Sequence, residues 1–265
     1  MAVIGFQNFL RKTRSFLRSL FSPPTTDESR IIFDALDARS KKGVMIDVGA
    51  HYGGSLAAFA EHGWKVFAFE PDPDNRAKLE AGFANKPNVI IDERAISDQP
   101  GENVAFFASE VSTGISGLSA FHESHEEIAN VSVTTLALFL AEQSREIQTI
   151  DFLKIDTEGF DLSVLKSVPW GDVQPRIILC EFEDFKTRPL GYDYHDLASY
   201  LVDKGYSLII SEWHPIERYG IRHKWRCFSR YPSDLCDSDA WGNIIATKDP
   251  DLYATLERCC RLNQG

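Results

Sequence analysis

The chain has 265 residues, 43% of them hydrophobic and 12% aromatic, enough for one large buried α/β core and too apolar for disorder. Its formal net charge of −11 lacks the basic stripe that phosphate backbones require, which excludes nucleic acid as the main partner. Five cysteines show neither metal-ligand spacing nor a disulfide framework, no apolar run is long enough to span a bilayer, and arginines interrupt any signal-peptide pattern. The expected setting is therefore the cytoplasm.

Residues 6–21 place Phe6, Phe9, Leu10, Phe16, Leu17, Leu20 and Phe21 among Arg11, Lys12, Arg14 and Arg18. This reads as a basic amphipathic helix with four possible uses. It can lie on an anionic membrane surface at the inner face, pack on a partner, cover an edge of the domain, or serve as an exchanged arm in a homodimer. Residues 22–26 break it, which divides the chain into an N-terminal helix and linker, 1–26, and a domain, 27–265. A second helix is expected over 27–39.

Residues 44–55 carry the main signal: an apolar run ending in Asp47, then Gly49-Ala50-His51-Tyr52-Gly53-Gly54-Ser55, then apolar residues at helical spacing. The pattern predicts a buried strand, a tight turn and a helix whose first N–H groups face a ligand. Glycine suits a turn that needs positive φ or a close backbone approach. Residues 65–69 form a second apolar strand ending in Glu70-Pro71, roughly twenty residues after the turn, where an acid reaches the ribose hydroxyls of an adenosine. The turn lacks the G-x-G-x-x-G order that lets a pyrophosphate lie on the backbone, and Asp47 would repel one. S-adenosylmethionine fits better than a nicotinamide dinucleotide.

Downstream, Pro73 opens a helix to about Phe83. Residues 88–91 form a third strand, with Asp92, Arg94 and Ala95 at its carboxyl end near an expected adenine. Residues 104–107 add a strand at the sheet's side. The polar stretch 109–130, with His122 and His125, reads as an irregular lid, and a strand and helix start resume at 131–136. Residues 149–156 and 176–184 are further core strands that bring Asp156, Glu181 and Glu183 to the rim shared with Asp47 and Glu70. A helix over 192–204 and strands over 206–211 and 240–247 follow. In 212–226, aromatics and charges interleave without period. They suit either stacking on a sugar face or packing onto the sheet.

These motifs resemble the FkbM-type methyltransferases, a branch of the Rossmann-like S-adenosylmethionine-dependent enzymes. The matching segments are 46–51, 67–73, 95–98 and, most specifically, Asp151-Phe152-Leu153-Lys154-Ile155-Asp156-Thr157-Glu158-Gly159-Phe160-Asp161. The likeness runs from about Val44 to about Glu183, with Trp241-Gly242-Asn243 as a further point. His51 stands where the family often has Asn, in a turn about one residue shorter. The resemblance implies a class I fold: a mostly parallel sheet of about seven strands with helices on both faces, N-terminal helices and an inserted lid.

Together these readings give an O-methyltransferase acting on a sugar hydroxyl in glycan or surface-polysaccharide synthesis, with S-adenosylhomocysteine as product. Cofactor contacts are expected from Asp47, Gly49, Ala50, His51, Gly53, Ser55, Glu70, Pro71, Arg94, Ala95 and Asp156. The base that takes the acceptor's proton is expected among Asp156, Glu158, Glu181 and His122. The clustered acids could instead hold a divalent cation, although no metal is implied. The other readings are a nicotinamide-dependent oxidoreductase, for which a Tyr-x-x-x-Lys pair is missing near the core, and a non-catalytic scaffold that binds cofactor or glycan.

Overall fold

A computed structural model describes residues 26–262 apart from 113, 145, 146 and 220. The expected helix over 6–21 lies outside the described residues.

The sheet begins with three short strands that are apolar on both faces, β1 (Val44–Val48), β2 (Lys65–Phe69) and β3 (Val89–Asp92). Two further strands join them, β7 (Phe152–Ile155) and β8 (Ile177–Glu183). Strands that run apolar on alternate and intervening positions alike are buried twice, and parallel pairing is the arrangement that buries them. With β9 (Ser207–Trp213), β10 (Trp225–Arg230) and β11 (Trp241–Thr247), the order is β10-β9-β11-β8-β7-β1-β2-β3. β3, β2, β1, β7 and β8 are mutually parallel, whereas β11 runs antiparallel between β8 and β9.

Alternate residues separate into two cores. Ile46, Val48, Phe67 and Phe69 pack with α4 (Leu136–Glu142), α5 (Asp161–Lys166) and α7 (Tyr194–Asp203). Met45, Val66 and Ala68 pack with α1 (Glu28–Ala35), α2 (Ala57–Glu61), α3 (Pro73–Phe83) and α8 (Pro250–Cys259). The helices start where side chains can cap them. Asp72 accepts from the backbone of Asp74 and Asn75 ahead of α3, and Asp193 and Asp196 form a reciprocal capping box on α7.

One expectation is corrected, and two elements are added. Residues 109–130 are not irregular throughout, because β6 (His125–Thr134) pairs with β5 (Gly101–Ser109) and β4 (Ala95–Ile96) in a separate three-stranded sheet. Its own apolar patch, Ala95, Phe106, Val131 and Val133, accounts for that strand. Residues 225–230 form β10, an edge strand on β9, which gives the sheet eight strands, in keeping with the expected number of about seven. The segment after Thr247 forms α8, capped by Asp249 with Pro250 at its first position. Among the described residues, no helix is long and apolar enough to cross a membrane.

Candidate active site

The carboxyl ends of β1, β2 and β7 open on a cleft of about 750 Å³. Its walls include Gly49, His51, Glu70, Pro71, Asn75, Ala95, Asp156, Thr157 and Glu158, with Phe69, Ile96, Phe106, Leu118 and Phe160 supplying apolar surface. Gly114, Ser116 and Gly117 roof it. Three contacts pin that roof. Ser116 Oγ donates to Asp72 Oδ2 at 3.0 Å, Gly117 bridges Phe107, and His125 Nε2 donates to the Ile115 carbonyl at 2.6 Å.

Glu70 is 4% exposed and is held from both sides. Its Oε2 accepts from the His51 N–H at 2.6 Å and its Oε1 from the Asp72 N–H at 3.0 Å. Burial pushes its carboxyl up to about 7, against the pull of those two donors. His51 sits in the left-handed region at φ 49° and stacks on Tyr52. That backbone turn aims its N–H at Glu70.

The glycine turn serves the fold more than a ligand. Gly49 has φ 82°, and a Cβ there would lie 1.9 Å from the Asp156 carbonyl oxygen. At Gly53, φ 81°, a Cβ would meet the Phe83 ring at 2.3 Å. The expected helix N-terminus does not face the cleft either. α2 begins only at Ala57, and the Ala57 N–H is already bonded to the Gly53 carbonyl. Gly53, Ser55, Ala50 and Asp47 stand behind the cleft wall and do not line it.

Asp47 is fully buried, accepts from Ser55 Oγ, and pairs with Lys154 Nζ at 3.2 Å. Strand register puts Asp47 directly opposite Lys154. The ammonium also reaches Asp156 Oδ2 at 3.3 Å and the Gly49 carbonyl at 3.2 Å. Burial works against the Lys154 charge, but Asp156 and Asp47 outweigh it and hold the group above its ordinary value. Burial raises the Asp47 carboxyl, and Lys154 opposes that. Sequence reasoning did not single out Lys154. The available signal was a lysine inside an otherwise apolar, fully buried strand, where an unpaired ammonium is too costly to keep.

A second buried cation organises the acids. Lys186 lies on α6 (Asp184–Thr187), with its side chain 2% exposed. Its Nζ is 2.5 Å from Glu158 Oε2, 3.1 Å from Glu181 Oε2 and 2.7 Å from Glu183 Oε2. Three carboxylates around one ammonium cannot all ionise in a buried site. Burial pushes Glu158 up to about 7 and raises Glu181 well beyond its ordinary range, while the acids outweigh burial at Lys186 and keep it charged. Lys186 was also missed, because it lies in an unremarkable polar helix turn. Glu158 has φ 55°, followed by Gly159 at φ 100°. A non-glycine residue in that region costs about 1–2 kcal/mol and marks a constrained position.

The other expected residues are dispersed. Glu181 accepts from Lys186 and does not line the cleft. Arg94 turns away, forming a bridge between Asp92 and Glu142 of α4 at 2.7–3.2 Å, so its side chain is committed to the fold. His122 lines a second cleft of about 1530 Å³, together with Glu183, Phe185, Arg188, Arg218 and Tyr219. His125 has both ring nitrogens engaged, since Nδ1 accepts from the Phe121 and His122 N–H groups. In 212–226, Trp213 packs at a tilt on Trp241 and Trp225 on Phe228, whereas residues 215–219 line the second cleft.

Asp156, Glu158 and Glu181 are close enough to share a cation, with ligand atoms within 4.8 Å of one another. The Lys186 ammonium already contacts two of them, Glu158 and Glu181.

The methyltransferase FkbM domain model matches residues 47–208, from Asp47 in β1 to the second residue of β9. The chain belongs to the FkbM methyltransferase domain family. The FkbM match thus encloses the lining of the first cleft and the three-stranded sheet, and leaves α1, β10, β11, α8 and residues 215–219, 238 and 239 of the second cleft outside. A curated relative, the hexuronic acid methyltransferase AglP of Haloferax volcanii, is 26% identical over 141 residues. That match covers 53% of this chain and about half, 56%, of the relative. Solved structures with a related outline include the O-methyltransferase from Bacillus cereus in complex with SAH (10% identity, 89% of this chain and 88% of that one, TM-score 0.41). Another is precorrin-6y C5,15-methyltransferase from Geobacter metallireducens (13% identity, 83% and 87%, TM-score 0.41).

Proposed function

We propose that this FkbM domain is an S-adenosylmethionine-dependent O-methyltransferase whose acceptor is a saccharide hydroxyl. The observation that carries the reading is that Glu70 and Glu158 line one cleft, the first fixed by two backbone donors and the second raised to about 7 by burial against the pull of Lys186.

The cleft suits the donor by its chemistry. Each Glu70 oxygen takes one N–H and has a lone pair left for a ribose hydroxyl. Phe69, Ile96, Phe106 and Leu118 offer apolar faces for an adenine, and Asp156, aligned by Lys154, offers negative charge to a cation. S-adenosylmethionine, when bound, supplies an electrophilic methyl group on a sulfonium.

The protein's part is positioning and proton removal. Glu158 takes the hydroxyl proton at a carboxylate oxygen; a pKa near the working pH makes that transfer efficient. Lys186 keeps enough of the cluster ionised for Glu158 to accept it. The pinned 114–118 roof limits water over the reacting atoms. The second cleft adjoins this rim through Glu183 and presents Tyr219, Phe185 and Arg218, groups that stack on and hydrogen-bond to sugars. The hexuronic acid methyltransferase among the relatives supports a sugar acceptor.

Calorimetry with S-adenosylmethionine, S-adenosylhomocysteine and NAD tests the donor; binding of the first two and not the third is expected. Incubation with saccharide acceptors and detection of a methyl mass increment tests the acceptor. Failure to bind either sulfur compound overturns the reading.

A further inference from the structure

Away from the two clefts, the outer edge of the sheet gathers a second set of potential ligands. Glu212 on β9 and Cys227 on β10 are register partners across the antiparallel pair. Cys236 arrives from the loop between β10 and β11, and its N–H donates to Glu212 Oε2 at 2.9 Å. One carboxylate oxygen and the two sulfurs lie within 4.8 Å of one another. Glu212 is only 2% exposed, yet its Oε1 receives no hydrogen bond. Arg226 Nε approaches that oxygen at 3.4 Å and is itself buried without a hydrogen-bond partner.

We propose that Cys227, Cys236 and Glu212 form a site for a thiophilic divalent cation such as zinc. Zinc prefers sulfur at about 2.3 Å and carboxylate oxygen at about 2.0–2.2 Å in a tetrahedron. Cys236 is exposed on its loop, where its side chain has room to close the present spacing. Each thiol gives its proton to solvent as its sulfur bonds the metal, and the fourth position is open to water beside Cys236. Two thiolates and a carboxylate leave the bound site with one net negative charge. Arg226 supplies the balancing positive charge, and Asp237 Oδ2 at 3.4 Å and His214 Nδ1 at 3.0 Å from its Nη2 hold it in place. The nine-residue separation of the cysteines has no metal signature in the sequence. The pairing of β9 with β10 is what assembles the set.

The consequence is local. A cation here would fasten the edge strand β10 to the loop whose Ser238 and Asp239 line the second cleft.

The test uses the full chain, reduced and freed of metal by a chelator. Zinc is titrated in competition with a chromophoric chelator, and cadmium replaces it to reveal a thiolate charge-transfer band. One equivalent of zinc and a clear band are expected. Cys227→Ser and Cys236→Ser should each weaken binding by more than about 100-fold, beyond the effect of losing an outer hydrogen bond. Cys259→Ser, on α8, should change nothing. Equal binding by the wild type and both cysteine variants overturns the proposal. So does a reduced protein that binds no zinc, the outcome expected if the two sulfurs serve only as a disulfide pair.

Discussion

Lys186 Nζ lies 2.5 Å from Glu158 Oε2, and this contact opposes the rise that burial imposes on the Glu158 carboxyl at the cleft wall. Replacing Glu158 by Gln keeps size and removes the proposed base. Turnover with a saccharide acceptor should fall by about 10²–10⁴-fold, while the dissociation constant for S-adenosylhomocysteine changes less than about threefold. Calorimetry and a methyl-transfer assay on the same preparation separate the two.

The same pair predicts a pH profile. With Glu158 near 7, kcat should rise as pH increases through that value. In Lys186→Met the cation that lowers Glu158 is gone, so the ascending limb should move to higher pH by a unit or more. A limb that stays in place in Lys186→Met would remove Glu158 as the titrating group.

Glu70 gives a binding and a stability prediction. Glu70→Gln should weaken S-adenosylhomocysteine by about 10- to 100-fold, the worth of hydrogen bonds to a charged acceptor. Burial raises this acid from its unfolded value of 4.5 to about 7, so the folded state prefers it protonated. Its contribution to stability is complete below about pH 4.5 and is lost as pH rises through 7. The loss is on the order of 3 kcal/mol at most. Melting temperature measured at pH 5 and pH 8 should differ less in Glu70→Gln than in the wild type.

Lys154 and Asp47 face each other across β7 and β1 and are both buried. Lys154→Met strands the Asp47 charge and should cost about 3–5 kcal/mol. The double variant with Asp47→Asn should recover part of that. Urea unfolding of the two singles and the double gives the coupling directly.

Gly49→Ala forces a Cβ to within 1.9 Å of the Asp156 carbonyl at φ 82°. A loss of about 3 kcal/mol or more is expected. Gly54→Ala, with nothing within 4 Å of its Cβ, should stay within about 0.5 kcal/mol of the wild type. Thermal melts of the pair check that the turn's first glycine, and not its composition, is what the fold requires.

Much of the central sheet was legible because β1, β2, β7 and β8 announce themselves as short apolar runs ending in acids. The rim residues Glu70, Asp156 and Glu158 follow from strand ends alone. Lys154 and Lys186 were not legible, since nothing local says that a lysine will be buried. Their partners come from other elements and meet them only after folding: Asp47 opposite Lys154, and Glu158 and Glu181 around Lys186. Arg94 misled because a strand-end arginine looks available until α4 presents Glu142. β10 was hidden by its mixed aromatic and charged composition, the ordinary dress of an edge strand.

Glu28, in the first described helix, accepts from Ser211 Oγ and from the Trp213 indole at 2.8 Å. The matched segment ends at residue 208, so neither the glutamate nor the groups it satisfies belong to it. An excised 47–208 fragment would begin without its clasp and stop short of the residues that clasp grips. During synthesis Glu28 must wait for a stretch made 183 residues later, which makes closure of this outer seam a late event in the life of each molecule.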